Sequence, residues 1–332
     1  FSVFLFCKNN FRVLMKKPKV LHVDENHPIL IDGLEELGFE NIIEYETPLR
    51  EIIKMINQYD GIVIRSRFTI DKLILKAAKR LKFIARVGSG LENIDIEYAK
   101  SKKIHLISSP EGNRNAVGEH ALGLLLSLMN KLHSGHQKII NGSWIREEQR
   151  GFELEGKTVA VIGYGNTGKS FAKKLIGFNN LKILCYDIKP NLGDEITSQV
   201  SLEEIKNKAQ ILSLHLPQTK KTLGFLNRSF IEKMKNPFWL INTSRGKVVV
   251  TEDLVEGLKT KKILGAGLDV LEYESNSFNS ITNSNKITPS LEYLIKSDKV
   301  LLSPHVAGWT YESQKKLALT IVRKIRDLRL TS

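Results

Sequence analysis

Thr158-Val159-Ala160-Val161-Ile162-Gly163-Tyr164-Gly165-Asn166-Thr167-Gly168 is the stretch that decides the fold. The apolar run Thr158–Ile162 predicts a buried strand, and a G-x-G-x-x-G turn follows it without a break. A helical pattern over 168–178 comes next, and the following strand ends at Asp187, 19 residues beyond Gly168. Each glycine has a task in this setting. Gly163 allows the tight turn, Gly165 lets backbone approach a pyrophosphate, and Gly168 lets helix pack closely on strand. The N–H groups around Asn166 and Thr167 then face phosphate oxygens. Asp187 stands where a carboxylate takes both hydroxyls of an adenosine ribose and repels a 2′-phosphate. Lys189 works slightly against that repulsion. The expected cofactor is NAD. The alternative is a purely structural Gly-rich turn, and the strand–turn–helix–Asp context argues against it.

Working outward, the same alternation of strand and helix runs in both directions. Downstream strands are expected at 182–187, 210–214, 238–242, 264–269 and 300–303. Upstream strands are expected at 19–23, 42–45, 61–65, 82–86 and 104–107, with helices at 28–37, 49–57, 71–79 and 95–101. Such alternation predicts an α/β protein with two parallel sheets, each covered by helices on both faces. Two longer helices, 116–132 and 311–328, flank the second unit and bridge back to the first. The Ser- and Asn-rich stretch 275–290 has no periodicity and reads as a surface loop.

A length of 332 residues fits two domains, and 42% hydrophobic with 26% charged residues is ordinary globular composition. No run of about 18 apolar residues exists, so no membrane helix is expected. The net charge of +14 is spread over almost every segment, without a zinc-finger or RNP-like motif, so no nucleic-acid partner is expected. It suits small anionic substrates. Two cysteines, Cys7 and Cys185, cannot build a disulfide framework, which fits a cytoplasmic setting. No His/Cys/Asp spacing suggests a metal. The chain opens without Met, and Met15 precedes Lys16-Lys17-Pro18 and the first strand. Residues 1–17 are thus read as an N-terminal extension, with 1–14 expected to be dispensable.

Three further segments carry chemistry. Asn242-Thr243-Ser244-Arg245-Gly246 follows an apolar strand. Gly265-Ala266-Gly267-Leu268-Asp269-Val270 leads to Glu274. Ser303-Pro304-His305-Val306-Ala307-Gly308-Trp309 follows the last strand. Arg, Glu and His each stand just past a strand of the nucleotide unit, where such sheets bind ligands. Hydride transfer to a carbonyl needs a positioned cofactor, a proton donor and a cation for a carboxylate. His supplies the proton, Glu orients its ring, and the planar Arg fork matches a carboxylate.

With these residues the chain resembles the D-isomer-specific 2-hydroxyacid dehydrogenase family, particularly its phosphoglycerate dehydrogenase branch, over residues 18–330. The resemblance implies a Rossmann NAD-binding domain, 116–309, inserted into a flavodoxin-like substrate domain, 18–115 plus 310–332. It implies Arg245, Glu274 and His305 as the catalytic triad, with Asp269 on the nicotinamide carboxamide. His215, Thr243, Ser244 and Gly308 join Gly163, Gly165, Asn166, Thr167, Gly168 and Asp187 around NAD. Ser89 and Gly90 belong to a carboxylate-binding loop, 87–93. Arg65, Arg67 and Arg146 are the candidates for a substrate phosphate; otherwise Arg65 serves the carboxylate loop and the other two are solvated. A homodimer through the helix 116–132 and the segment after it is implied too. The 31-residue interval from Glu274 to His305 is longer than the family pattern, and Ser275 replaces its usual Pro. The chain ends after the helix 311–328, so feedback through a C-terminal regulatory domain is not expected.

Three functions fit these residues. They are 3-phosphoglycerate dehydrogenase, a glyoxylate/hydroxypyruvate reductase or other 2-hydroxyacid dehydrogenase, and an NAD(H)-sensing corepressor-like protein. His120 is read as structural or interdomain, and His22, His27, His105, His133 and His136 have no supporting motif.

Overall fold

The computed structural model describes residues 17–274 and 287–330. The expectations for the start of the chain and for most of the loop 275–290 lie outside them. The first unit runs β1 (Lys19–His22), α1 (Ile29–Glu36), β2 (Glu40–Ile43), α2 (Leu49–Met55), β3 (Gly61–Ile64), α3 (Lys72–Ala77), β4 (Phe83–Arg86), α4 (Ile96–Ser101) and β5 (His105–Ser108). Its strands pair in parallel in the order β2-β1-β3-β4-β5, the flavodoxin-like arrangement. Parallel strands are covered on both faces, which is why β3 reads Gly-Ile-Val-Ile and is buried throughout.

Two helices follow, α5 (Pro110–Met129) and α6 (Leu132–Ile140). The second unit then runs β6 (Thr158–Ile162), α7 (Asn166–Lys174), β7 (Lys182–Tyr186), β8 (Ser198–Gln199), α8 (Leu202–Lys208), β9 (Ile211–Leu214), α9 (Arg228–Lys233), β10 (Phe238–Asn242), α10 (Thr251–Lys259), β11 (Ile263–Leu268), α11 (Pro289–Lys296) and β12 (Val300–Leu302). These strands are again parallel, in the order β12-β11-β10-β9-β6-β7-β8. The order reverses between β6 and β9, which opens a crevice at their carboxyl ends.

The chain closes with α12 (Tyr311–Asp327). Its Leu317, Ile321 and Ile325 bury into the core of the first sheet beside Leu30, Val63 and Phe83. Leu124, Leu125 and Leu128 of α5 pack instead with Val161 and Ile241 of the second. α5 also lies against α12, so closely that a Cβ on Gly112 would sit 2.6 Å from the Leu317 nitrogen.

Several boundaries differ from expectation. The long helix starts at Pro110 rather than 116, because Pro fills the N1 position while Gly112, Asn113 and Asn115 break the apolar spacing. It ends at Met129, where Lys131 takes a left-handed φ of 53° and starts α6, a helix the periodicity did not separate. The nucleotide-unit helix opens at Asn166 rather than Gly168, with Gly165 as its N-cap, and ends at Lys174. β2 begins at Glu40, two residues early, because left-handed Gly38 ends α1 and turns the chain. Residues 289–290, expected in a loop, begin α11, capped by Thr288 with Pro289 in its first turn.

Candidate active site

The G-x-G-x-x-G turn has the shape its glycines predict. Gly163 has φ of 90°, and a Cβ on it would lie 2.5 Å from the His215 carbonyl oxygen. A Cβ on Gly168 would lie 2.1 Å from the Gly163 oxygen, so helix and turn touch backbone to backbone. Nothing lies within 4 Å of the corresponding position on Gly165, which leaves that face of the turn open. Tyr164 anchors the turn. Its ring is buried, and its hydroxyl meets Thr197 Oγ1 at 2.6 Å and Asp194 at 3.0 Å. Asp187 Oδ2 accepts from Tyr164 N at 2.9 Å, and Oδ1 accepts from Lys189 N at 3.0 Å.

His215 and Thr243 lie at the carboxyl ends of β9 and β10. His215 Nε2 meets Ser213 Oγ at 2.8 Å, and burial pushes the imidazole down to about 3, so the ring is neutral. His215 Nδ1 and Thr243 Oγ1 are buried without a partner among the described residues. Unpartnered buried polar atoms, an open Gly165 face and a helix N-terminus together fit a dinucleotide.

Beyond the crevice lies a cleft lined from both units. Arg65 comes from the end of β3 and Arg86 from the end of β4, while Arg245, Glu274 and His305 come from the second unit. His305 Nδ1 donates to Glu274 Oε2 at 2.7 Å, and the other Glu274 oxygen accepts from Leu271 N. His305 is held in the left-handed region, with φ of 53°. That strained turn is over-determined by Asp269. The Asp269 carbonyl accepts from His305 N at 2.8 Å, and its carboxylate accepts from Val306 N and Ala307 N, both at 2.9 Å. Ser303 Oγ also donates to it, at 2.6 Å, and His120 Nε2 lies 2.8 Å from the same hydroxyl. Asp269, expected from the resemblance to meet the nicotinamide carboxamide, thus also fixes the backbone that presents His305. Its carboxylate is 1% exposed and bonded to the turn that presents His305. Gly308 packs against α5, where a Cβ would lie 2.4 Å from Asn113 Nδ2.

Arg245 reaches across the cleft to the loop 87–93. Its Nε donates to Glu92 Oε1 at 2.7 Å, and its Nη1 donates to Ser244 O at 2.7 Å. Burial raises the Glu92 carboxyl, but the charge and hydrogen bond of Arg245 outweigh that and hold it below the ordinary carboxylate range. A Cβ on Gly90 would lie 2.3 Å from Arg245 Nη2, and one on Gly88 would lie 1.6 Å from Arg86 Nη1. The loop is glycine-rich because two guanidinium groups pack onto its backbone. Ser89 Oγ donates to Asn113 Oδ1 at 2.8 Å.

The arginines proposed from sequence part company. Arg65 lines the cleft. Arg67 does not: its guanidinium donates to the carbonyls of Val23, Glu44 and Thr47, at 3.2, 2.7 and 2.6 Å, and so ties two loops together. Arg146 is exposed beyond α6 and does not line the cleft of its own chain. Arg86 was not anticipated. Burial, with Arg245 and Arg65 nearby, pushes its guanidinium down to about 10. The available signal was a charged residue ending the apolar strand Phe83-Ile84-Ala85 just before the glycine loop.

Among the described residues, no helix is long and apolar enough to cross a membrane, and no group of His, Cys, Asp or Glu is placed to hold a metal.

Residues 122–307 match the model of the D-isomer specific 2-hydroxyacid dehydrogenase NAD binding domain. A hydroxypyruvate reductase of Thermotoga maritima is 34% identical over 83% of this chain and 86% of its own. A D-3-phosphoglycerate dehydrogenase of Archaeoglobus fulgidus is 31% identical over 93% of this chain, which spans 57% of that longer protein. The crystal structure of a D-lactate dehydrogenase from Aquifex aeolicus, complexed with NAD and lactic acid, superposes with a TM-score of 0.78 at 28% identity, covering 93% of this chain and 95% of that one. With its nucleotide turn, its paired His305 and Glu274 and Arg245 facing them, the chain belongs to the D-isomer-specific 2-hydroxyacid dehydrogenases, a family of NAD-dependent oxidoreductases.

Proposed function

We propose that this chain interconverts a D-2-hydroxy acid and its 2-oxo acid with NAD(H), and that its substrate carries a phosphate: 3-phosphoglycerate and 3-phosphohydroxypyruvate. One observation carries the choice of substrate. Beyond Arg245, the cleft holds the half-buried cations Arg65 and Arg86, and no carboxylate lies within ion-pair distance of either among the described residues. A monocarboxylate needs one arginine; two further cations outside any ion pair suit a dianion.

In this reading NAD, when bound, supplies or accepts the hydride. Arg245 fixes the substrate carboxylate and polarises its carbonyl, helped by the backbone of Ser89 and Gly90. His305 gives the proton to the carbonyl oxygen in reduction and takes it back in oxidation, with Glu274 holding the ring by Nδ1. The substrate part is 18–115 plus 310–332, and the nucleotide part is 116–309. A second copy covers the exposed apolar residues of α6 and the segment after it, giving a homodimer that works in the cytoplasm and opens serine biosynthesis.

A glyoxylate or hydroxypyruvate reductase is the second reading. The position of Arg67 outside the cleft favours it, as does the likeness to the Thermotoga hydroxypyruvate reductase. The test compares kcat/KM for 3-phosphohydroxypyruvate, hydroxypyruvate and glyoxylate with NADH. The phosphorylated substrate is expected to lead by tenfold or more. A lead for glyoxylate or hydroxypyruvate overturns the phosphoglycerate reading in favour of the second, and turnover of none overturns both.

A further inference from the structure

Arg65, which lines the cleft, stacks on Trp309. Arg65 follows β3 in the first unit, whereas Trp309 follows the His305 turn and precedes α12. The guanidinium carbon of Arg65 lies 4.0 Å from the centroid of the indole, well within the range of a cation–π stack. Trp309 remains 46% exposed, so the indole is shared between this stack and solvent rather than buried in a core.

Among the described residues no carboxylate forms an ion pair with the Arg65 guanidinium, although Asp24 and Glu25 lie near enough to favour its charge. Asp24 is near, but its Oδ2 accepts the backbone N–H groups of Arg65, Ser66 and Arg67, at 2.6, 3.2 and 3.4 Å. The Arg65 side chain itself donates to a carbonyl, Glu25 O, at 3.3 Å. A guanidinium donates only in its own plane, so a ring laid on its face fixes its direction without using a donor. The contrast with Arg245 is chemical. Glu92 holds Arg245 through its Nε, by a charged partner in the donor plane; the indole holds Arg65 by its face and takes none of its donors.

We propose that Trp309 is a positioning residue that sets substrate specificity, holding Arg65 by its face so that the guanidinium edge takes a second anionic group on the substrate. The reaction assumed is that of the reading above, whereas the binding claim stands apart from it. A substrate with one carboxylate uses Arg245 and gains nothing from the stack. A substrate with a phosphate beyond its 2-oxo acid group gains the oriented charge.

The test uses the full chain, Trp309→Phe and Trp309→Leu. Kinetics are measured with NADH against 3-phosphohydroxypyruvate and glyoxylate, and calorimetry measures binding of NADH and of 3-phosphoglycerate. Trp309→Leu should raise KM for the phosphorylated substrate about tenfold, and Trp309→Phe, a weaker partner, about threefold. kcat, KM for glyoxylate and NADH affinity should stay within about twofold. Equal losses on both substrates, or no loss with either variant, overturn the proposal. If the unmodified chain turns over neither oxo acid, the reaction reading fails, and the 3-phosphoglycerate titration decides the Trp309 claim. Absent binding by the unmodified chain, or an unchanged Kd in Trp309→Leu, then overturns it. Should Trp309→Leu not bind NADH, Trp309→Phe decides alone by the same comparison.

Discussion

Arg86 illustrates the opposition between stability and function that a charged cleft imposes. Its guanidinium is held near two other arginines, the charges of Glu92 and Asp24 offset its burial only in part, and its Nε donates to the Arg65 carbonyl at 3.3 Å. A buried cation of this kind destabilises the empty protein. Its folded value, about 10, lies below that of a free guanidinium. The unfolded chain therefore binds the proton more tightly, and the penalty is in full force at every pH below 10. It is relieved only as pH rises past that value. Arg86→Met should accordingly raise the Tm of the ligand-free chain by roughly 2–4 °C, and by the same amount from pH 6 to 9. The variant should also lose the thermal shift given by 3-phosphoglycerate. Differential scanning calorimetry with and without that ligand checks both halves. A Tm that falls, or a ligand shift that survives, contradicts the account. Arg86 also shows a limit of reading residues singly. Arg67 carries the same charge two residues after Arg65, yet three carbonyls take it out of the cleft. Which of several arginines is left unsatisfied depends on long-range carbonyl positions that no local motif encodes.

At the scale of elements, the strands were legible because parallel strands are apolar throughout, and the residues that end them stand where ligands bind. Arg245, Glu274 and His305 could be read from position after a strand plus residue type. The long helix was less legible. Its first turn, Pro110-Glu111-Gly112-Asn113, looks like a loop, since Gly and Asn have poor helix propensity. Packing decides otherwise. Gly112 is required where α5 crosses α12, because a Cβ would lie 2.6 and 2.7 Å from the Leu317 nitrogen and Cα. Gly123, on the same helix, has nothing within 4 Å of that position. Replacing each by Ala should move stability in opposite directions. Gly123→Ala should stabilise by about 0.5–1 kcal/mol through helix propensity alone. Gly112→Ala should destabilise by roughly 1–3 kcal/mol, because backbone cannot yield as a side chain can. It should also lower kcat/KM, since α5 and α12 join the two halves of the cleft. Urea unfolding of both variants checks the signs, and a stabilising Gly112→Ala would show that the helices are not in close contact.

For the molecule as a whole, the open question is what covers the segment after α5. Leu132, Ile139, Ile140, Trp144, Ile145 and Phe152 are each at least 48% exposed, a density of apolar surface that a lone chain rarely keeps. Arg146 stands among them, exposed and remote from its own cleft lining. In a two-fold dimer the same patch faces itself, so an arm projecting from one copy can reach the other copy's cleft. In such a dimer Arg146 is expected to act in trans. The expectation separates cleanly from a solvated arginine. Arg146→Ala should lose activity on the phosphorylated substrate, and His305→Ala should lose about 10²–10⁴-fold by removal of the acid/base group. Mixing the two inactive chains under conditions of subunit exchange should restore activity. In a hybrid dimer, one site combines His305 of the first chain with Arg146 of the second, and the other site lacks both. Half of the dimers are hybrids at equal mixing, so about one quarter of the wild-type rate should return. If Arg146 acts within its own chain, neither site of the hybrid is complete and nothing returns. If Arg146→Ala alone is fully active, Arg146 has no part in the reaction, and sedimentation velocity on the unmodified chain then tells whether the apolar patch pairs at all.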